Sequence, residues 1–335
     1  MSSTNIRRCI SIGLVIALGL TYTLTTDSFL TTFNILQLLK DSAYTGLISL
    51  GMALVIIGGG IDLSAGGIVC LCGVACARAS FIPGVPGIAV ILITILAGAA
   101  CGLFNGLVVT KLHLSEFVTT LASGFVFSGL ALITTFKTDG RPVPMKLTNL
   151  DFISFGYNYS GLYKITIVWI ALAVLMQVVL TRTRFGLYTC ALGANEKSAL
   201  MSGVKKDRIK IAGFMACGAF CGLAAAMVVA FQTATTQTLG NMMEFQAISA
   251  CVVGGIVITG GKGDALAACL GAFFMTMVTS GLLKYGLSTG VHYLMYGAVI
   301  VIMINFDAQF SRLTDGGRVR KTKKNEPPRL SEVQP

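Results

Sequence analysis

Long runs of apolar residues separated by short polar breaks dominate the chain. A helix needs about 20 apolar residues to cross the hydrocarbon core of a bilayer, and eight runs approach or exceed that length. They are Cys9–Thr26, Ser42–Ile61, Ile88–Thr110, Phe117–Phe136, Ile165–Leu180, Ile211–Ala230, Ala265–Leu283 and Tyr285–Phe306. The pattern predicts an all-α integral membrane protein.

Two apolar stretches are too long to be single helices. Residues 42–77 contain Asp62 as their only charge. As one helix they would measure about 54 Å, whereas the bilayer core is about 30 Å thick. We expect a break in the glycine-rich segment 58–67. The same argument divides 245–283 at Gly260-Gly261-Lys262-Gly263-Asp264, which gives about ten transmembrane helices, two of them with glycine-rich breaks.

The distribution of Lys and Arg predicts the orientation. Positive charge concentrates in loop 181–210 and in the C-terminal segment after residue 308, and cytoplasmic loops carry such an excess. The apolar run after Arg7 and Arg8 resembles a signal peptide, but it lacks a small-x-small cleavage site and is long enough to span. We expect a retained first helix, cytoplasmic termini and a basic, disordered cytoplasmic tail at 311–335.

Composition narrows the class of protein. Only 12% of residues are charged, against roughly a quarter in soluble proteins, so apolar side chains must face membrane lipid. The net charge of +11 lies in breaks between apolar runs and does not form the basic face that nucleic-acid binding requires. Most of the ten cysteines lie inside apolar runs without paired C-x-x-C spacing, and therefore predict no metal site.

No sequence pattern for catalysis or for cofactor binding is present. The segment from Gly260 to Gly263 lacks the spacing and the hydroxyl residue of a phosphate-binding loop. His113 and His292 are the only histidines, and no nucleophile–base pair is recognisable. We therefore predict that the chain is not an enzyme and holds no cofactor, so that any ATP it uses is bound by a partner subunit.

The first break is the strongest candidate for a substrate pathway, because irregular backbone at membrane depth must be buried in protein or line a wet cavity. Gly60, Asp62 and Ser64 belong to this segment. Alternatively, Asp62 caps the next helix and packs the break. Glu244 and Gln246, at the start of another apolar run, are candidate pathway residues too, although Glu244 is also explained as an interfacial charge in a first helical turn.

Small residues recur at helix-contact spacing in Gly98-xxx-Gly102-xxx-Gly106 and in Gly218-xxx-Gly222. Such residues let helix backbones approach closely in lipid. The pattern predicts a helix–helix seam, which either moves during function or packs the bundle statically.

Loop 181–210 contains a predicted short helix at Glu196–Ser202. Asn195 is placed to cap its start and Gly203 to end it. Leu200 and Met201 would be exposed between basic flanks. The helix would either dock a partner protein or lie on the membrane interface.

Several segments together resemble the ribose-type ABC permease family. Gly59-Gly60-Ile61-Asp62-Leu63-Ser64-Ala65-Gly66 is similar to its G-G-I-D-L-S-x-G signature, and residues 183–204 are similar to its cytoplasmic coupling segment. Residues 244–263, and more weakly Phe117–Leu121 and Gly140–Val143, match further patterns. Where the family usually has Leu-Asp, this chain has Phe245-Gln246.

The resemblance covers roughly residues 33–307 and implies a membrane-spanning permease of a bacterial inner-membrane importer that carries a monosaccharide or a related small polar solute. We expect its transmembrane domain to occupy residues 1–310. Its partners would be a second permease subunit, cytoplasmic ATP-binding subunits and a periplasmic substrate-binding protein. The residues that would couple the chain to the ATPase are Gly193, Asn195, Glu196, Leu200, Met201 and Gly203. The alternatives are a permease for branched-chain amino acids or another small solute, a secondary transporter that uses Asp62 and Glu244 as ion sites, and a membrane enzyme.

Overall fold

The computed structural model describes residues 3–26, 29–135, 144–159, 161–236, 238–288, 290–302 and 305. Its helices are α1 (Ser3–Thr25), α2 (Thr32–Ile57), α3 (Ala65–Ser80), α4 (Gly87–Lys111), α5 (Glu116–Thr135), α6 (Leu150–Ile153), α7 (Lys164–Arg182), α8 (Arg184–Ala194), α9 (Glu196–Met201), α10 (Lys206–Gln232), α11 (Met243–Gly254), α12 (Ala265–Lys284) and α13 (Gly290–Ile302). The short strands β1 (Met145–Lys146) and β4 (Ala234–Thr235) pair antiparallel, as do β2 (Asn158–Tyr159) and β3 (Leu162–Tyr163). The all-α class is confirmed.

Ten apolar helices in the described part of the chain occupy the ten predicted positions. Seven of them, α1, α2, α4, α5, α7, α10 and α12, are long and apolar enough to cross a membrane. The other three, α3, α11 and α13, are shorter. With 16 and 12 residues, α3 and α11 measure about 24 and 18 Å. Each is shorter than a bilayer core of about 30 Å, so neither could cross the core as a single straight helix.

Both predicted breaks are confirmed, and the second is longer than expected. The first separates Ile57, at the end of α2, from Ala65, at the start of α3. The second begins after Gly254, at the end of α11, rather than at Gly260. Gly255 adopts a left-handed φ of 102° and its N–H bonds back to Val252 O, which is a common way for a helix to end.

Helix α2 is the central helix of the bundle, with most of its residues buried, and it begins ten residues earlier than predicted. The sequence placed its start at Ser42 because Lys40 and Asp41 are charged. Lys40 is nevertheless buried, since its Nζ donates to Gln37 Oε1 at 2.6 Å and lies 3.6 Å from the ring centroid of Phe231. A cation on an aromatic face with a hydrogen-bond partner is tolerated inside a bundle.

We name the two ends of the helix bundle after the short helices that lie there, the α9 end and the α6 end. At the α9 end, the α2 carbonyl of Ile57 accepts a hydrogen bond from Gly261 N at 2.9 Å, and Arg8 of α1 forms an ion pair with Asp264 before α12. At the α6 end, Asp151 accepts from Gly87 N at the start of α4. The α6 end therefore carries a small folded cap, and the α9 end carries both glycine-rich breaks.

The predicted glycine seam is the contact between α4 and α10. A methyl group added at Gly98 would collide with the carbonyl of Gly218, and one added at Gly102 would collide with that of Phe214. The two backbones are thus in direct contact, as small residues permit. The pattern at Gly140–Val143 and the tail 311–335 lie outside the described residues.

Candidate functional site

Loop 58–64, which joins α2 to α3, is held by buried side chains. Asp62 and Ser64 are fully buried. Asp62 Oδ1 accepts hydrogen bonds from Ser64 N at 2.9 Å and from Ser64 Oγ at 2.5 Å. Ser64 Oγ accepts in turn from Asn105 Nδ2 of α4 at 2.7 Å. Ser64 occupies the predicted N-cap position of α3, but its hydroxyl makes no cap bond because Asp62 and Asn105 engage it.

Two oxygens of this cluster, Asp62 Oδ2 and Asn105 Oδ1, have no hydrogen-bond partner among the described residues. Leaving a buried acceptor unpaired costs about 1–3 kcal/mol, so such atoms in a native core require an explanation. Asp62 lies in the loop itself, and Asn105 contacts the loop from α4.

Two cavities flank the loop. The first has a volume of about 580 Å³, and the second of about 480 Å³. Residues that line the first include Gly59, Gly60, Ile61, His113, Glu116 and Lys210. Residues that line the second include Leu63, Gly66, Gly124, Ser128, Asn241 and Glu244. The loop contributes residues before Asp62 to one cavity and residues after it to the other.

Helix α5 shows how the cavities are separated. Phe117 lines the first cavity and Leu121 the second, and four residues of helix correspond to about 6 Å. Between them, Thr120 Oγ1 accepts from Leu63 N at 3.0 Å and donates to Glu116 O at 2.8 Å. We call residues 61–63 together with Thr120 the partition. It is one loop thick, and the Thr120 hydroxyl hydrogen-bonds it to α5.

The predicted pathway residues fall on different parts of this arrangement. Gly60 lines the first cavity, Glu244 lines the second, and Asp62 lies in the partition, with Ser64 buried beside it. The lining of the second cavity includes Phe245 but not Gln246, which is half-buried in α11. The structure thus groups Gly60, Asp62, Ser64 and Glu244 around the two cavities and leaves Gln246 outside their linings.

Three glycine segments that are far apart in the sequence meet at the α9 end. A methyl group added at Gly260 would lie 2.9 Å from the Cα of Gly59 and 3.0 Å from the Cα of Gly193. One added at Gly193 would collide with Ile57 O and lie 2.6 Å from Gly261 N. The end of α8 therefore rests directly on both breaks, and α9 follows it after one residue.

Helix α9 is confirmed close to its predicted bounds, ending at Met201 rather than Ser202. Asn195 caps it, with its side chain accepting from Ser198 N at 3.0 Å. Leu200 is 47% exposed and Met201 is 90% exposed, while Gly203 takes the predicted left-handed φ, at 81°. The helix presents an apolar surface outward from the bundle.

Glu196 connects α9 to α10 through an ion pair with Lys206. The hydrogen bond from Lys206, opposed in part by partial burial, lowers the pKa of the Glu196 carboxyl below its usual range. A lowered pKa in the folded state means that the pair is intact at neutral pH and is lost only as the pH falls through that lowered value.

Sequence reasoning assigned no functional role to Asn105 or Glu116, and it included Thr120 only within the pattern Phe117–Leu121. Asn105 is a fully buried amide within α4, and a polar side chain inside an otherwise apolar run is a signal that points to a contact. Glu116 forms an ion pair with Lys210, a pairing that joins residues 94 positions apart and that no local pattern reveals.

Comparison with known proteins places the chain in a family. Residues 34–304 match the family described as the branched-chain amino acid transport system permease component. This chain belongs to that permease family. Its membership makes the protein a multi-pass membrane transport component rather than an enzyme, and confirms the resemblance to ABC import permeases. Proteins of this kind work with ATP-binding and substrate-binding partners.

The most informative relatives are sugar permeases. The chain is 36% identical to the ribose import permease of Bacillus subtilis over 285 residues, covering 85% of this chain and 87% of the relative. It is 32% identical to the ribose import permease of Escherichia coli K12, over 88% and 92% of the two chains. It is 30% identical to the galactose/methyl galactoside import permease of Haemophilus influenzae, over 84% and 88%. No solved structure matches the chain.

Proposed function

We propose that this chain is the permease of a monosaccharide importer, with D-ribose as the first substrate to test. The observation that carries the proposal is the pair of cavities divided by the partition. Each cavity exceeds the lower limit of about 300 Å³ typical of small-molecule sites. The similarity to ribose and galactose permeases supports a sugar over an amino acid.

Solute would pass between the cavities when the partition moves. The second cavity offers Ser128, Asn241 and Glu244, whose hydroxyl, amide and carboxylate groups suit sugar hydroxyls. The first offers backbone of Gly59 and Gly60 and the side chain of Thr110. We assign Gly60 and Glu244 to the pathway because they line the cavities, and Asp62 with Ser64 because their hydrogen bonds shape the loop between the cavities. Gln246 does neither and is left out.

The α9 end is proposed as the cytoplasmic side of the inner membrane. Its cations among the described residues are Arg7, Arg8, Lys111, Arg182, Arg184, Lys197, Lys205, Lys206, Arg208, Lys210 and Lys262. Fewer lie near the α6 end, and positive charge marks cytoplasmic loops. The first cavity then faces the cytoplasm and the second faces the periplasm, where a substrate-binding protein would deliver the sugar.

The contact with the ATP-binding subunit is assigned to α8–α9. Gly193 sits on both breaks, Asn195 and Glu196 hold α9 in place, Gly203 ends it, and Leu200 and Met201 point away from the bundle. An exposed apolar surface between polar residues is typical of a protein contact. We also propose a second permease subunit, the same or related, completing the transporter.

Transport of a sugar is tested with the complex purified through a tag on this chain and reconstituted with ATP and its substrate-binding protein. We expect uptake of D-ribose that requires ATP, with D-galactose and D-xylose as competitors to be ranked and L-leucine without effect. Uptake of L-leucine instead of any sugar would assign the other substrate class. Uptake by the chain alone without ATP would overturn the proposal in favour of a secondary carrier.

The docking assignment predicts that Leu200→Asp with Met201→Asp abolishes co-purification of the ATP-binding subunit while the chain still inserts. Interface anchors of this kind contribute about 2 kcal/mol or more each, and a buried unpaired carboxylate adds a further penalty. Leu150→Asp is the matched control, since Leu150 is 79% exposed at the opposite end and its replacement should leave the complex intact. Undiminished co-purification of the double variant would refute the assignment.

A further inference from the structure

The first two turns of α10 carry three side chains that form ion pairs with three different elements of the α9 end. Lys206 pairs with Glu196 of α9, Asp207 pairs with Lys111 of α4 at 3.2 Å, and Lys210 pairs with Glu116 of α5. The three pairs differ in burial. The side chains of Lys210 and Glu116 are 13% and 14% exposed, against 62% and 47% for Lys111 and Asp207.

The buried pair lies against the glycine-rich loop. A methyl group added at Gly60 would collide with the Glu116 carboxylate, so that carboxylate rests directly on the loop backbone. Glu116 and Lys210 both line the first cavity. One helical turn beyond Glu116, Thr120 fastens Leu63 of the partition. The start of α5 therefore holds the loop at two points, through Glu116 at Gly60 and through Thr120 at Leu63.

Helix α10 is also tied closely to α9. The link between them contains four residues, and Val204 N donates to Ala199 O at 3.1 Å. Together with the Lys206–Glu196 pair, this tight turn makes the start of α10 follow any displacement of α9. A chain of packed, charged contacts then runs from α9 through Lys206 and Lys210 to Glu116 and the loop, and such chains can carry coupling between sites.

We propose that Lys210 and Glu116 are positioning residues that transmit displacement of α9 to loop 58–61, and so open the partition toward the first cavity. The proposal rests on the proposed function, because it assumes that an ATP-binding subunit moves α9. It adds a specific route. Gly193 transmits the displacement of α9 to the two breaks through backbone contact. The Lys210–Glu116 pair transmits it to the opposite side of loop 58–61.

The test follows hydrogen exchange in the purified complex of the chain with its ATP-binding subunit, compared without nucleotide and with ADP–vanadate. Peptides covering 193–203 report the docking segment, and peptides covering 58–64 report the loop. In the wild-type complex we expect both to change between the two states. In Glu116→Gln, we expect the change at 58–64 to fall by about threefold or more, in line with measured effects on coupling, while 193–203 responds as before.

Lys111→Gln is the matched control. Lys111 of α4 pairs with Asp207, which lies on α10 as Lys210 does, but this pair is exposed. The variant therefore removes a charge from a neighbouring ion pair, and both segments should respond as in the wild type. The charge-reversed double variant Glu116→Lys with Lys210→Glu should restore at least part of the response that Glu116→Gln loses. A merely structural role of the pair would not separate the two segments in this way.

The outcomes separate the two proposals. An unchanged response at 58–64 in Glu116→Gln, with 193–203 responsive, would overturn the ion-pair route and leave the permease function standing. Equal loss at 58–64 in Lys111→Gln would also overturn it. A wild-type complex in which 193–203 does not respond to ADP–vanadate would overturn the docking assignment on which the route depends.

Discussion

Gly193→Ala is expected to abolish most ATP-driven uptake, although it adds only one methyl group. That methyl would collide with Ile57 O and approach Gly261 N to 2.6 Å, where these two atoms form a 2.9 Å hydrogen bond between the breaks. Both obstacles are backbone atoms, which cannot rotate away. Overpacking of this kind costs about 1–3 kcal/mol, equivalent to about 5- to 150-fold in an equilibrium constant.

Uptake and ATP hydrolysis should be measured on the same reconstituted complex. We expect uptake to fall while hydrolysis continues, because under the proposed assignment α9, and not the displaced end of α8, contacts the ATP-binding subunit. Gly213→Ala in α10 provides the control, since a methyl group there meets nothing within 4 Å. Wild-type uptake by Gly193→Ala would show that the contact between α8 and the breaks is dispensable.

Asp62→Ala is expected to produce the second large effect. It removes the acceptor of two hydrogen bonds, from Ser64 N and Ser64 Oγ, and leaves a buried N–H without a partner. The cost of an unsatisfied buried group is about 1–3 kcal/mol, and the loss of side-chain volume adds to it. Because these bonds shape the partition, uptake should fall by about tenfold or more, and the thermal stability of the detergent-solubilised chain should fall with it.

Asp62→Asn separates packing from charge at the same position. The asparagine keeps an oxygen acceptor for Ser64, so we expect near-wild-type thermal stability with reduced uptake if the carboxyl itself takes part in transport. Lys284→Ala is the control for removing a charge near the membrane, since Lys284 lies over the ring of Phe29, 5.7 Å from its centroid and away from both cavities. Equal, mild effects of Asp62→Asn and Lys284→Ala would favour a packing role for Asp62.

The breaks and the short helix α9 were predictable because their causes are local. A single helix over residues 42–77, running unbroken through Gly58–Gly67, would be longer than the bilayer is thick. Asn195 and Gly203 mark the start and the end of a two-turn helix by their own capping chemistry. These features depend on a few neighbouring residues. The presence of the two breaks and the approximate bounds of α9 therefore follow from composition and spacing, whereas the second break begins at Gly255 rather than at Gly260.

The features that sequence reasoning missed depend on contacts across the fold. Charge at Lys40 argued against a helix start before Ser42, but Phe231, almost 200 residues away, provides the face that accommodates it. Ser64 was placed correctly at the start of α3, yet Asn105 engages its hydroxyl. The meeting of Gly59, Gly193 and Gly260 likewise requires the three-dimensional arrangement of α2, α8 and α11.

The central position of α2 also has a consequence for how the protein is made. Helix α2 is the second to be synthesised, but the aromatic face that covers Lys40 belongs to Phe231 at the end of α10. Until α10 has been inserted, Lys40 keeps its partners Gln37 and Asp41 on α2 but lacks the aromatic face of Phe231, and a cation inside the bilayer is costly. In nascent chains that end before α10, the cation of α2 is therefore only partly covered, and we expect α2 to reach its native packing only after α10 is in place.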